Sequence, residues 1–365
     1  MEEKNIKSVS NLRVGITHGD FNGISYEVII NALKDQRVIE LFVPVIYGLS
    51  KALSFFRKNL NLSDFNYNVA KDISKLYMRK VNIINLSNDE FKIEAGKSTE
   101  EAGKMAIMAL DAAVKDLKNK NIDIIVTAPL NKANVQSEDF QFPGHTEYFA
   151  SNFDVKDYLM LMVHGGLRVG TITGHMPIKD VPLELNEELI LSKINVLNKS
   201  LIRDFGISRP KIAVMGLNPH AGDKGLLGTE DEEIITPALI KAKKQGILVY
   251  GPFAADGFFG SSEIKKYDGV LAMYHDQGLI PFKTIAAGNG VNFTAGLPIV
   301  RTSPAHGTAY DIAGKGLASS QSMLDAIYLA KDVFYSRKKY DEENSNPLPF
   351  GSQDNKRPYR NGDDK

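Results

Sequence analysis

Short β-branched apolar runs alternate with longer amphipathic stretches along most of the chain. Runs such as Arg13–Thr17, Val81–Asn85 and Ile122–Thr127 predict strands, because β-branched residues favour extended backbone. The clearest helical pattern spans Ser98–Leu117, where Ala, Met and Leu recur every three or four residues. This alternation predicts an α/β fold built on a largely parallel sheet.

The remaining elements follow the same alternation. We predict further strands at Phe42–Tyr47, Tyr158–His164, Leu167–Thr173, Lys211–Leu217, Ile247–Tyr250, Gly269–Tyr274 and Pro298–Arg301. We predict further helices at Ser25–Lys34, Ser50–Asn59, Thr146–Asn152, Asn186–Asp204, Glu230–Gln245 and Ser320–Arg337. The connectors Thr127–Lys132 and Asn292–Pro298 are candidate crossing points between two lobes, because Gly and Pro punctuate them. The segment 341–365 holds few apolar residues, and we expect a disordered tail there.

Composition narrows the classes of function. The 365 residues include 44 basic and 44 acidic side chains and no cysteine. Disulfides, iron–sulfur clusters, thiolate zinc sites and cysteine nucleophiles are therefore excluded, which agrees with a cytoplasmic location. Balanced charge without a dense Lys/Arg stripe argues against a nucleic-acid partner. No apolar run is long enough for a spanning helix, so we expect no membrane partner.

Three histidines each stand just past the end of a predicted strand: His175, His220 and His275. In open α/β sheets, ligands bind at the carboxyl ends of the strands. Three imidazoles delivered there from separate strands could form a metal site with open positions. The alternative is that these are three unrelated loop histidines.

A glycine-rich loop is the candidate nucleotide site. The chain contains neither a G-x-G-x-x-G sequence after a strand nor a P-loop, so a standard dinucleotide fold is not expected. The small residues of Arg301–Gly316 would let backbone N–H groups approach a pyrophosphate, and His306 could stack on adenine. The alternative is an ordinary glycine-rich loop.

This loop resembles the cofactor loop of the isocitrate and isopropylmalate dehydrogenases, which bind NAD(P). Other motifs narrow the resemblance to the 4-hydroxythreonine-4-phosphate dehydrogenase family of vitamin B6 synthesis. They occur in the family's order at Gly15–Ile24, Thr127–Lys132, Pro143–Glu147, Gly174–Pro177, Gly216–Gly222, Gly251–Asp256, Met273–Gly278 and Gly290–Thr294. The motif at 19–27 lacks two prolines that many relatives have.

The resemblance implies an isocitrate/isopropylmalate dehydrogenase-like α/β fold, with two α/β lobes and an active-site cleft between them. Residues 12–130 and 300–340 would form one lobe. Residues 131–299 would form the other, with the metal and dimer contacts. Because the family's site lies between two subunits, the resemblance also implies a homodimer with a shared active site.

The resemblance assigns His175, His220 and His275 to a divalent metal. Asp256 and Asp276 would be further ligands or hydrogen-bond partners of the ligands, although a structural role at a turn explains each equally well. Imidazoles suit Zn²⁺, Co²⁺, Ni²⁺ or Mn²⁺ better than Mg²⁺. The expected contacts of NAD or NADP are His306, Gly307, Thr308, Ala309 and Asp311.

The family's contacts with its phosphorylated small-molecule substrate match His145, Thr146, Lys283, Asn292 and Arg301. Pro143–Glu147 opens a predicted helix, whose free N–H groups favour a phosphate or carboxylate, although Thr146 could simply cap the helix. Lys and Arg supply the charge that such anions need, although either residue alone is more often solvated. Lys132 is a further candidate. The expected catalytic residues are His275, through the metal, and Lys283 with a lowered pKa as general base, unless a water chain takes that role.

The implied reaction is NAD(P)- and metal-dependent oxidation of 4-phosphohydroxy-L-threonine to 2-amino-3-oxo-4-phosphooxybutanoate. This product would decarboxylate to 3-amino-2-oxopropyl phosphate, in pyridoxal 5'-phosphate biosynthesis. A D-threonate or D-erythronate 4-phosphate dehydrogenase would use the same residues and differ at C2 of the substrate. Outside the family, a zinc hydrolase would use the histidines but not the glycine-rich loop. A phosphate acyltransferase would need neither metal nor NAD.

Overall fold

One mixed sheet organises the described part of the chain. The computed structural model describes residues 12–136 and 140–346. The strands are β1 (Arg13–Thr17), β2 (Val43–Gly48), β3 (Tyr67–Ala70), β4 (Val81–Asn85), β5 (Ile124–Thr127), β6 (Leu159–His164), β7 (Leu167–Thr171), β8 (Lys211–Met215), β9 (Leu248–Phe253), β10 (Gly269–Ala272), β11 (Val291–Ala295) and β12 (Val300–Pro304). Their order across the sheet is β3-β4-β2-β1-β5-β12-β11-β6-β7-β10-β8-β9.

Most neighbouring strands are parallel, as the sequence predicts. The exceptions lie at the centre, where β11 is antiparallel to both β12 and β6, and β6 is antiparallel to β7. β6 and β7 form a hairpin closed by Gly165 and Gly166. Gly165 has φ +53°, which glycine adopts at little cost in a tight hairpin turn. The centre of the sheet is therefore where its strand direction changes.

Helices cover both faces of the sheet. They are α1 (Ser25–Leu33), α2 (Gln36–Ile39), α3 (Ser50–Asn59), α4 (Glu100–Lys118), α5 (His145–Asn152), α6 (Val181–Glu184), α7 (Glu187–Arg203), α8 (Thr236–Lys244), α9 (Ala255–Phe259), α10 (His275–Ala286) and α11 (Gln321–Asn344). Side-chain caps start two of the long helices: Thr99 accepts from Ala102 N in α4, and Asn186 accepts from Leu189 N in α7.

Alternate residues of each strand enter different cores. In β5, Ile124 and Val126 pack in the core that includes residues of α1, α3 and α11, whereas Ile125 packs in the core that includes α4. Successive side chains of a strand point to opposite faces, so a strand covered on both faces must be apolar throughout. This explains why the predicted strands read as continuous apolar runs.

Sequence patterns missed two elements that carry cleft residues. The connector predicted at 292–298 is instead largely β11, a central strand whose polar Asn292 faces the cleft. Helix α10 contains Gly278 and Pro281, which argue against a helix in isolation. A Cβ at Gly278 would lie 3.0 Å from Ala272 Cβ and 3.1 Å from Val169 Cγ1, so glycine permits close packing of α10 on the sheet. Tertiary packing therefore outweighs local propensity here.

The first residues of the predicted tail, from Asp341, are helical instead. Helix α11 continues to Asn344, and Asp341 pairs with Arg203 at 2.8 Å between Nη2 and Oδ2. The helix and this ion pair order residues 341–344, so the prediction of disorder is wrong for these four residues. Residues 347–365 lie outside the described residues. The boundaries of the two lobes stay a prediction.

Candidate active site

A cleft of about 370 Å³ opens where β6, β7, β11 and β12 meet α5 and α10. Four different parts of the fold deliver its walls: the loop after β5, the start of α5, the segment after β7 and helix α10. The predicted residues that line it are Lys132, His145, Thr146, His175, His275, Lys283, Asn292, Arg301, His306 and Gly307. The fold thus joins most of the predicted metal, substrate and cofactor residues in one place.

Strand register sets the floor of the cleft. Asn292 in β11 lies opposite Ser303 in β12 and Met162 in β6. Residues paired across a sheet project to the same face, and so does Arg301, two residues before Ser303. Among the described residues, Asn292 Oδ1 and Arg301 Nε are buried without a hydrogen-bond partner. Such unpaired polar atoms are uncommon in folded proteins, and a ligand bound in the cleft would supply their partners.

Arg301 is the buried cation of this floor. It is 1% exposed and donates to the hydroxyls of Thr127 (2.8 Å), Ser303 (2.9 Å) and Thr294 (3.3 Å). Burial lowers the pKa of Arg301, against the opposing charge of nearby Glu147. Among the described residues, none forms an ion pair with its guanidinium. Because an unpaired buried charge is costly, an anionic ligand would satisfy it.

Helix α5 presents a second buried polar atom. It begins at His145, so the unbonded N–H groups of its first turn lie at the cleft. Among the described residues, Nε2 of His145 has no hydrogen-bond partner. Burial first, then the charges of Arg301 and Lys132, hold the pKa of His145 well below its usual value. The ring therefore stays neutral and can hydrogen-bond a ligand through Nε2.

One face of α10 lines the opposite wall. His275, Leu279 and Lys283 are four residues apart, which places them on the same side of the helix. Gln277 holds the start of α10: its Oε1 accepts from Met273 N at 2.7 Å, and its Nε2 donates to Gly216 O at 2.6 Å. The helix therefore positions His275 and Lys283 as a unit.

Two of the three predicted metal histidines lie side by side. The ring centroids of His175 and His275 are 5.2 Å apart. Lys132 Nζ lies 3.4 Å from His175 Nε2. Burial, followed by the charges of Lys132 and His275, lowers the pKa of His175 and so favours its neutral form. Neutral imidazole is the form that binds metals.

His220 is not part of this pair within one chain. It does not line the cleft, and the described residues contain no group of three His, Asp or Glu side chains that could hold a metal. It lies in a one-turn segment, Pro219–Gly222, with φ +53°. The buried Asp231 carboxylate orders the start of this loop, accepting from Leu217 N (2.9 Å) and Asn218 N (3.2 Å). A single chain therefore brings together two of the three histidines.

The two candidate aspartates differ in position. Asp276 Oδ1 lies 2.7 Å from His275 Nδ1. A carboxylate only accepts, so this contact places the proton on Nδ1 and leaves Nε2 of His275 available to a metal. Asp256 is exposed in α9 and does not line the cleft. Within one chain, Asp276 orients a histidine and Asp256 is not at the site.

Part of the predicted cofactor loop lines the cleft, and part of it does not. His306 and Gly307 line the cleft, and Nε2 of His306 is buried with no hydrogen-bond partner among the described residues. Thr308, Ala309 and Asp311 do not line the cleft. Further along, the N–H groups of Gly314 and Gly316 donate to the buried carboxylate of Glu27. Those two N–H groups are therefore engaged within the protein rather than free for a pyrophosphate.

Comparison with known proteins decides the family. The family model described as "Pyridoxal phosphate biosynthetic protein PdxA" matches residues 40–330. This chain belongs to the PdxA family. The match includes the cleft residues from Lys132 to Gly307, so the family predicted from short motifs is confirmed.

Several relatives of this PdxA-family chain are similar over nearly their whole length. A 4-hydroxythreonine-4-phosphate dehydrogenase from Bacteroides thetaiotaomicron is 48% identical over 338 residues, 92% of this chain and 93% of the relative. A putative D-threonate 4-phosphate dehydrogenase from Cutibacterium acnes is 36% identical, over 87% of this chain and 93% of the relative. The crystal structure of the Klebsiella pneumoniae 4-hydroxythreonine-4-phosphate dehydrogenase is 34% identical, with a TM-score of 0.76, over 90% of this chain and 99% of that chain. The predicted α/β fold class is thus confirmed.

Sequence reasoning missed two charged residues of the cleft in this PdxA-family chain. Glu147 ends the Pro143–Glu147 motif, to which only His145 and Thr146 contribute predicted contacts, and Lys193 lies in α7, outside the family motifs. The available signal for Lys193 was a lysine within the apolar stripe of a predicted helix.

No helix in the described part of the chain is long and apolar enough to cross a membrane.

Proposed function

We propose that this chain oxidises the C3 alcohol of 4-phosphohydroxy-L-threonine with NAD or NADP, in pyridoxal 5'-phosphate biosynthesis. The reaction would remove a hydride from the hydroxyl carbon, which NAD or NADP would accept, and a proton from the hydroxyl oxygen. The resulting 2-amino-3-oxo-4-phosphooxybutanoate then releases CO₂ to give 3-amino-2-oxopropyl phosphate. The observation that carries the proposal is one cleft that joins the His175–His275 pair to unpaired polar atoms of His145, Asn292 and Arg301.

The chain's own residues bind and orient the substrate. The Arg301 guanidinium and the start of α5 offer charge and N–H donors to anionic oxygens. Asn292 and neutral His145 add hydrogen bonds of fixed direction from rigid elements, which hold the alcohol in one orientation. Lys283, on α10 with His275, is our candidate for the group that accepts the alcohol proton.

The donor set fits a divalent metal with nitrogen affinity. His175 and His275 supply two imidazoles, and Asp276 fixes the tautomer of the second. When bound, the metal would act as a Lewis acid on the substrate alcohol, and NAD or NADP, held in part by His306 and Gly307, would accept the hydride. The nitrogen donors favour Zn²⁺, Co²⁺, Ni²⁺ or Mn²⁺ over Mg²⁺.

A homodimer would complete this site. Large apolar side chains stand exposed a few residues after each predicted metal histidine: Ile178 (70%), Leu183 (84%), Leu226 (77%) and Ile280 (62%). Exposed apolar side chains of this size favour a protein interface. In the dimer, His220 of one protomer would join the His175–His275 pair of its partner. The cytoplasmic location stays a prediction.

Mixing two inactive variants tests the shared site. His220→Ala and His275→Ala should each lose bound metal, measured by elemental analysis, and turnover. A heterodimer of the two would contain one intact site, so refolding them together should restore activity. If the three histidines acted within one chain, no mixture would recover activity. Near-normal turnover by His275→Ala alone would refute its role.

The reaction itself is tested by nucleotide reduction. Purified chain, supplied with each candidate metal in turn, should reduce NAD or NADP when 4-phosphohydroxy-L-threonine is added. D-Threonate and D-erythronate 4-phosphates, which carry a hydroxyl at C2, are the controls. A higher kcat/KM with either control would assign the chain to the paralogue activity. No reduction with any of the three substrates would contradict the proposal.

A further inference from the structure

Lys193 occupies a position where helix α7 otherwise buries apolar side chains. Ile190 and Leu197, three residues before and four residues after it, are fully buried, and so is the adjacent Ile194. Residues at these spacings share one helix face. A lysine on such a face must lose part of its hydration, which costs free energy unless a partner compensates. The position therefore requires an explanation beyond packing.

Lys193 lies on α7, and its side chain reaches the active-site cleft beside Tyr158, the residue just before β6. Its Nζ donates to Tyr158 O at 2.6 Å and lies 5.0 Å from the centre of the Tyr158 ring. Burial lowers the pKa of Lys193, and the nearby Asp157 charge opposes this shift. An ammonium has three N–H donors, and the described residues provide this one hydrogen-bond acceptor. Two donors remain for a molecule in the cleft.

The charges that line the cleft are strongly unbalanced. Four cations line it, Lys132, Lys193, Lys283 and Arg301, against a single carboxylate, Glu147, among the described lining residues. A substrate with a phosphate and a carboxylate carries about three negative charges at neutral pH. Lys193 supplies charge on the β6 side of the cleft, on a side chain held by Tyr158.

We propose that Lys193 is a substrate-binding residue that donates to an anionic group, carboxylate or phosphate, of the molecule oxidised in the cleft. This inference rests on the proposed function and adds a residue from outside the recognised motifs. The Tyr158 carbonyl and ring hold the ammonium in place before the substrate arrives. Less side-chain entropy is then lost on binding.

Three substitutions distinguish substrate binding by the Lys193 charge from a purely structural role of its hydrogen bond to Tyr158. Lys193→Met keeps the apolar stem and removes the charge, Lys193→Gln keeps an N–H donor without charge, and Lys193→Arg keeps the charge. We expect KM for 4-phosphohydroxy-L-threonine to rise about 10- to 100-fold in the Met and Gln variants, the loss of one hydrogen bond to a charged group. We expect kcat to change much less, and the Arg variant to recover most of the affinity. Lys199→Met, at an exposed position of α7, is the matched control and should match the wild type.

Two substrate analogues identify the bound group. 4-Hydroxy-L-threonine lacks the phosphate, and 3-amino-2-hydroxypropyl phosphate lacks the carboxylate. As inhibitors, only the analogue that retains the partner of Lys193 should lose affinity in Lys193→Met. An unchanged KM in Lys193→Met, or full recovery in Lys193→Gln, would overturn the proposal, the second by showing that only the Tyr158 hydrogen bond matters. A wild-type chain that neither binds nor oxidises the substrate would instead contradict the proposed function.

Discussion

Replacing Arg301 by methionine should weaken substrate binding without lowering the stability of the folded chain. Arg301 is 1% exposed and makes hydrogen bonds only to hydroxyl groups among the described residues. Methionine has a similar length and no charge, so it removes an unpaired buried cation without leaving a large cavity. We expect Arg301→Met to bind substrate poorly while the unliganded chain unfolds at the same temperature as the wild type, or higher.

The size of the effect follows from the contacts. A hydrogen bond to a charged group contributes about 1.5–3 kcal/mol, so losing a bidentate contact should weaken binding about 100-fold or more. At a substrate concentration of about 100 times the wild-type Kd, binding stabilises the wild type by about 2.7 kcal/mol. With Kd raised about 100-fold, the same concentration would stabilise Arg301→Met by only about 0.4 kcal/mol.

Thermal unfolding with and without 4-phosphohydroxy-L-threonine measures both quantities on one sample. The wild type should show a large ligand-dependent rise in Tm, and Arg301→Met almost none. Steady-state turnover should show a matching increase in KM. If Arg301→Met kept the ligand-dependent rise but melted well below the wild type without ligand, Arg301 would be a structural residue. The interpretation of the cleft floor would then be refuted.

Three further predictions follow from buried groups. Burial lowers the pKa of His18 to about 4, so the unfolded chain binds a proton at this residue at a higher pH than the folded chain does. The free energy of unfolding, measured by urea titration, should therefore drop by roughly 3 kcal/mol between pH 6.5 and pH 4. The His18→Phe variant should not show this drop. Asp204→Asn should cost about 3–5 kcal/mol by removing the carboxylate charge that pairs with the buried Arg337, whereas Asp341→Asn, in an exposed ion pair, should cost less than about 1 kcal/mol; equal losses would contradict this. His145→Ala should raise KM with little change in Tm, since Nε2 has no protein partner in the described structure, and an unchanged KM would exclude substrate contact.

Local sequence patterns could predict the strands and helices that are specified by their own residues. Apolar runs of β-branched residues predicted ten of the twelve strands that the described part of the chain contains, because a strand buried on both faces must be apolar throughout. The apolar stripe in α4 predicted a helix near its observed bounds, and the observed caps Thr99 and Asn186 lie within one residue of the predicted starts of α4 and α7. Helix α10 was missed because Gly278 and Pro281 argue locally against a helix that only its packing on the sheet favours.

The sequence by itself determined the α/β class, the family and most of the charged and histidine residues of the cleft, since periodicity and short motifs encode these. Only the tertiary structure decided which of them meet. It pairs His175 with His275 but leaves His220 outside the cleft of its own chain, because that depends on strand order and loop direction. It also brings Lys193 into the cleft from a helix without a motif, since contacts between distant segments follow from packing and not from spacing along the chain.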